Sequence, residues 1–343
     1  MVLPVPKSTQ QKLEGLRRVV DISPPATVLK QYLKGEPLQV LSGSQNKLFK
    51  HAVVVCVFRK WLDQVPQSLM EIGITTFDRL AFEKKFTSPG AHGENFFKLI
   101  WSMHVRLHKS AHLPQSDGAK PDQFHFGTTI FSTEEQARHM LDDIWQQPMS
   151  EEEPKRGFRA IIYLSFGNND SLGMTRPNLD FNPSSMKTTI ATMNVQNICH
   201  QAGTTSHQDA SVEYLLNVFD IKTYDLWNTG NAATYITYAA FLSVLRKDLY
   251  FDAKTNPKAK PGKFGQSAKK DSMEVMRCLA EWPTPPPPFG CEKFCTLCKS
   301  CDHTPLECPK VSLTCKKCEA SFMFWRQVNA PSHSSKQCIF ANK

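Results

Sequence analysis

Eight of the chain's eleven cysteines fall in its last fifty-three residues, and their spacing limits what that end can fold into. From Cys295 the order is Cys295-x2-Cys298-x4-His303-x4-Cys308, then Cys315-x2-Cys318, then, after fourteen residues, His333-x4-Cys338. Zinc takes four sulfur or nitrogen ligands in a tetrahedron, and a Cys-x2-Cys turn supplies two without strain. Cys295, Cys298, His303 and Cys308 are therefore expected to hold one zinc ion, and Cys315, Cys318, His333 and Cys338 a second. A segment this short buries little, so metal binding must provide its folding energy. Cys291 and Cys301 are left over. Cys301 permits a shifted register led by Cys298-x2-Cys301 and closed by Cys308 or Cys315. A ribbon pairing Cys295-x2-Cys298 with Cys315-x2-Cys318 also fits the spacing.

Only Cys56, Cys199 and Cys278 lie outside the tail, so the body is not a disulfide scaffold. Clustered cysteine pairs with interleaved histidines indicate thiolates on metal, hence an intracellular setting, cytoplasmic or nuclear. With 41% hydrophobic and 21% charged residues over 343 positions, most of the chain should bury a core in two or three domains. A net charge of +9 favours polyanionic partners. No apolar run reaches the length needed to span a bilayer, and MVLPVPKSTQQKLEG lacks the apolar stretch of a signal peptide.

The periodicity predicts a mainly α fold with a minor β element (α+β), a helical body carrying a small C-terminal zinc-binding module. Residues 1–113 read as a helical N-terminal region. Leu48 to Leu62 is apolar on nearly all sides, a buried helix or, from its Val53-Val54-Val55-Cys56-Val57 centre, a core strand. A further helix is expected over Glu94 to His112, setting His104, His108 and His112 along one face beside Lys98, Arg106 and Lys109. Residues 123–252 form a second region. Ser132 to Glu135 reads as a capping box, Phe158 to Phe166 as a strand and Gly167 to Pro183 as loop. Ser211 to Trp227 and Asn231 to Phe251 read as an α-hairpin. Residues 253–290 form a basic, proline-rich linker and 291–343 the zinc tail.

The run Cys295-Thr-Leu-Cys298-Lys-Ser-Cys-Asp-His303-Thr-Pro-Leu-Glu-Cys308-Pro309, followed by another Cys-x2-Cys, resembles the tandem CCHC zinc knuckles of retroviral Gag and cellular RNA-binding proteins. That resemblance implies binding of single-stranded RNA or DNA, with apolar and aromatic groups on unpaired bases and cations on phosphates. Phe294 and Leu297 would serve the first knuckle, and Phe322, Phe324 and Trp325 would stack in the second. Lys299, Lys310, Lys316, Lys317, Arg326 and Lys336 would contact phosphate. The sequence departs from the pattern at Asp302, where the knuckles carry glycine, and in the length of its second insert.

Lys254, Lys258, Lys260, Lys263, Lys269 and Lys270 occur with no acidic residue between Ala253 and Lys270, in a stretch too polar to order itself, an electrostatic tether for the same strand. No Gly-rich phosphate loop or Gly-x-Ser-x-Gly elbow is present, and Cys199-His200 are sequence neighbours rather than partners across a fold. Asp170, Asp180, Asp209, Glu213, Asp220 and Asp225 sit in no spaced catalytic motif. The expectation is thus a non-catalytic, nucleocapsid-like packaging protein of viral or retroelement type, whose body self-associates. The alternatives are a zinc-finger adaptor or transcription regulator, and a nucleic-acid-processing enzyme with its active site in the body.

Overall fold

The structure, a computed structural model, describes residues 7–63, 67–113, 123–149, 157–249, 273–281, 283–310 and 313–340. Helices α1 (Lys7–Asp21), α2 (Pro25–Lys34) and α3 (Gly43–Lys50) lead into β1 (Val53–Trp61) and β2 (Leu69–Asp78). Then come α4 (Arg79–Lys85), α5 (Glu94–Phe97), β3 (Ile100–Leu107), β4 (Thr129–Ser132) and α6 (Glu134–Trp145). The body closes with β5 (Ile161–Ser165), α7 (Asn169–Thr175), β6 (Thr189–Asn194), α8 (Val195–Gln201), α9 (Val212–Asn217) and α10 (Thr229–Leu249). A helix α11 covers 273–280, and the tail carries α12 (Lys316–Glu319) and α13 (Phe324–Asn329).

The six strands form one mixed sheet in the order β4-β3-β2-β1-β5-β6. β2 runs antiparallel to both β1 and β3, while β5 runs parallel to β1, β6 to β5 and β4 to β3. Each face is covered. α10 lies across β1, β2 and β3, with α1, α2, α8 and α9 around it, and buries Val54, Cys56, Leu16, Leu29, Ile198, Leu215 and Phe241 in one core. On the opposite face α6 buries Ala137, Met140, Leu141 and Trp145 against Val53, Val55, Ile72, Val105 and Tyr163. This is an α/β layering, with β1 near the middle of the sheet.

The expectation of a helical body with a minor β element is thereby corrected. Strands covered on both faces read as continuous apolar runs and lose the alternation that would betray them. Val53–Trp61 shows this, its first five residues all apolar and all buried. The helix expected over Glu94 to His112 is a single turn, α5, followed by β3, so the three histidines share no helix face. Leu48 to Leu62 resolves into the end of α3 and β1. The cap of α6 is Thr133, one residue after the expected position. Its Oγ1 accepts from Gln136 N at 3.1 Å, and Gln136 Oε1 accepts from Thr133 N at 3.0 Å. The expected α-hairpin shrinks as well: α9 ends at Asn217 and an irregular segment leads to α10. Gly167 to Pro183 contains a short helix, α7. The lysines at 254, 258, 260, 263, 269 and 270 lie outside the described residues. Among the described residues no helix is long and apolar enough to cross a membrane.

Candidate functional site

The most polar buried region of the body is where the start of α10 crosses the sheet. Gly73 of β2 pairs with Phe58 on one side and His104 on the other. A Cβ on Gly73 would overlap the Thr229 carbonyl, so glycine is what lets the helix lie directly on the strand. The adjacent cross-strand row is Cys56, Thr75 and Ser102. Thr234 Oγ1 donates to Ser102 Oγ at 2.9 Å, and Thr237 Oγ1 lies 2.7 Å from Thr75 Oγ1. Asn228 caps the helix, its Oδ1 accepting from Gly230 N at 2.9 Å and Asn231 N at 3.1 Å. Its Nδ2 lies 3.2 Å from His104 Nδ1, which also lies 2.8 Å from Thr129 Oγ1. The face beneath α10 thus presents a thiol, hydroxyls, an amide, an imidazole and a bare glycine.

Carboxylates around this crossing are each held by a cation or an imidazole. Glu71, fully buried, lies 3.3 Å from His104 Nε2 and 3.5 Å from Arg106 Nε. Burial pushes its pKa up, but His104, Arg106 and Lys60 together bring the carboxyl below its usual range. Asp170, at the start of α7, takes Arg59 Nη2 at 3.0 Å and accepts from Tyr163 Oη at 2.5 Å. Asp170 and Arg59 also line a cleft of about 290 Å³ with Gly173, Asn178, Phe181 and Ser185. Asp225 lies 2.7 Å from His125 Nε2. Asp78 receives a two-pronged Arg159 contact at 2.7 and 2.9 Å.

At the other end of the chain, the structure brings the ligand atoms of Cys295, Cys298, His303 and Cys308 within 4.8 Å of one another. It does the same for Cys315, Cys318, His333 and Cys338. Both sets can take zinc, since soft sulfur and borderline nitrogen are its preferred donors. The tail does not hang free. Cys291 exchanges backbone hydrogen bonds with Phe131 of β4 at 2.7 and 2.9 Å. Ser332 Oγ donates to the His112 carbonyl at 3.1 Å, and the His333 ring packs on His112 with centroids 4.0 Å apart.

That docking decides which expected contact residues stay open. Phe294 is buried, stacked on His108 at 4.0 Å and on Phe131 at 5.9 Å, and Leu297 is buried among the first cluster's cysteines. Trp325 packs on Phe340, and Arg326 lies over the same ring. Phe322 and Phe324 are exposed, as are Lys299, Lys310, Lys316, Lys317 and Lys336. Cys199 is buried under α10, 3.8 Å from the Ala239 carbonyl, away from any catalytic partner. Sequence reasoning missed Gly73, Asn228 and the hydroxyls of Thr75, Ser102, Thr234 and Thr237, because their partners lie more than a hundred residues apart. Asn228-Thr-Gly-Asn231 did carry a signal, an asparagine cap before a helix.

A family model described as DEDDh_C, "DNA polymerase III subunit epsilon-like, C-terminal domain", matches residues 53–244. No curated protein matches the chain at a significant level. The family match overturns the expected kinship with Gag-type zinc-knuckle proteins, and with it the viral, nucleocapsid-like packaging reading. Of the alternatives, the one it favours is a nucleic-acid-processing body.

Proposed function

We propose, from the premise that this chain belongs to the DNA polymerase III epsilon-like C-terminal-domain family of DEDDh exonucleases, that its body takes a nucleic-acid strand as its substrate. The observation that carries this reading is the extent of the match. Residues 53–244 run from the first residue of β1 through every strand and into α10, so the shared part is the sheet together with the helix crossing it.

Exonucleases of this family work through divalent metal ions, and the letters D, E, D and D stand for acidic residues that carboxylate chemistry would supply. The residues present do not fit that group. Among the described residues, the only sets of three or more potential ligands lying together involve cysteine and histidine. Beneath α10 the two rows are Phe58, Gly73, His104 and Cys56, Thr75, Ser102, without a carboxylate. Glu71 and Asp170 are committed to Arg106 and Arg59. These residues support strand engagement in an exonuclease fold rather than metal-assisted hydrolysis.

Hydrolysis has the family itself in its favour, so the test carries both arms. Full-length chain is mixed with end-labelled single- and double-stranded oligonucleotides, with Mg²⁺ or Mn²⁺. The expected result is binding that weakens steeply with salt and strands that keep their length. Absence of binding would sink the reading, whereas metal-dependent shortening would establish the hydrolytic one.

Two zinc ions complete the picture, one in each tail cluster. Supporting this are the four-ligand grouping in both clusters and the burial of the second against Met70 and Leu113 of the body. His303→Ala and His333→Ala should each remove one ion per chain by elemental analysis, and an unchanged count in either would refute that cluster.

A further inference from the structure

A third group of metal-ligating side chains lies where tail meets body. His108, in the turn after β3, sits with Cys291 and Cys301, its ligand nitrogen and the two sulfurs within 4.8 Å of one another. His108 Nε2 is 3.8 Å from Cys291 Sγ. The imidazole is also fixed in place: it bonds the Phe131 backbone carbonyl, and its ring lies flat on Phe294 with planes 3° apart. One ring nitrogen on a backbone carbonyl and the other toward a donor cluster is how ligating histidines are oriented. Cys291 is anchored by its two backbone bonds to Phe131. In the structure the two cysteines are joined as a disulfide, with Cα atoms 5.7 Å apart.

We propose that, with these cysteines reduced, His108, Cys291 and Cys301 bind a third transition-metal ion of the zinc class, which fastens the tail to the body. Two thiolates and an imidazole match zinc's donor preference, and water completes the tetrahedron. The first tail cluster already has four ligands without Cys301, so the third site takes nothing from it. Metal and disulfide are alternative states of one sulfur pair. A dithiol reductant delivers two electrons and two protons to the Cys291–Cys301 bond and becomes a cyclic disulfide itself. A zinc ion then displaces the two thiol protons. Both states tie residue 291 to residue 301, but only the metal state includes His108, and hence the body.

The experiment is elemental analysis of the full chain, reduced with a dithiol and freed of excess zinc, with cobalt substitution as a second readout. Reduced wild type should hold three ions, and His108→Ala and Cys301→Ser two each. About one quarter of the sulfur-to-cobalt absorption should be lost in each variant, since the third site holds two of the eight thiolates in the three clusters. Two ions in the reduced wild type would overturn the site. So would three ions in His108→Ala, since a metal held without His108 would not fasten the tail to the body. If His108→Ala fails to fold, the exposed Cys301 decides the matter through the wild-type count and the Cys301→Ser count together. The site rests on the docking of tail to body and stands or falls independently of nucleic-acid binding.

Discussion

Single residues carry much of what makes this body possible. Gly73 is the clearest case, because the atoms a side chain would strike are backbone of Thr229 and Gly230, which cannot rotate away. Gly73→Ala should therefore lift the start of α10 and cost about 3 kcal/mol or more in urea unfolding. A variant of wild-type stability would show that the helix does not sit on that strand. Asp78 makes a different kind of contribution. Burial pushes its pKa up, yet the Arg159 fork overcomes this and leaves the carboxyl below its ordinary value. With the folded value depressed, the stabilisation is fully present above the unfolded carboxylate range and is lost as pH falls through the folded value. Arg159→Met should cost about 1 kcal/mol near neutral pH, a modest figure because Asp78 is one-third exposed. The loss should shrink as the solution is acidified, and a pH-independent loss would contradict the pairing.

Among the elements, α10 shows how a polar helix face is tied to a sheet. Thr237 Oγ1 donates to the Ala233 carbonyl at 2.9 Å, so toward Thr75 it acts as acceptor and Thr75 is the donor. Thr237→Val leaves the Thr75 hydroxyl buried without that partner, at roughly 1–3 kcal/mol. Thr75→Val should cost less, and the double variant less than the two losses added, as a double-mutant cycle by chemical denaturation would read. The strands themselves were poorly legible. Ile100–Leu107 alternates Ser102, His104 and Arg106 with Met103, Val105 and Leu107, a period-two signal hidden by the four-residue spacing of the histidines. His104, His108 and His112, four residues apart, suggested a helix face; in the fold the first lies under α10 and the other two under the tail. Val53–Trp61 kept a trace of its nature in its β-branched run. The tail clusters were the most legible part, because their ligands are fixed by neighbours in the chain and need no knowledge of the fold. The crossing under α10 was not, since it assembles residues from β1, β2, β3 and a helix far along the sequence.

At the scale of the whole molecule, tail and body share a boundary instead of a tether. His112 is a measure of how closed that boundary is: burial, with His333 and Arg106 nearby, pushes its pKa down to about 3. Stripping zinc with a strong chelator should therefore unfold more than the tail. Protease cleavage should appear both within 291–340 and near 108–113, and protection at 108–113 after complete metal removal would argue against the docking. The two backbone bonds between Cys291 and Phe131 add a further consequence. β4 is the outermost strand on its side of the sheet, and Cys291 occupies hydrogen-bonding groups along its open edge. Loss of metal would uncover that edge, and an uncovered strand edge is a template for pairing with another chain. Metal starvation would then register first as turbidity, with the tail acting in the intact protein as a guard against aggregation.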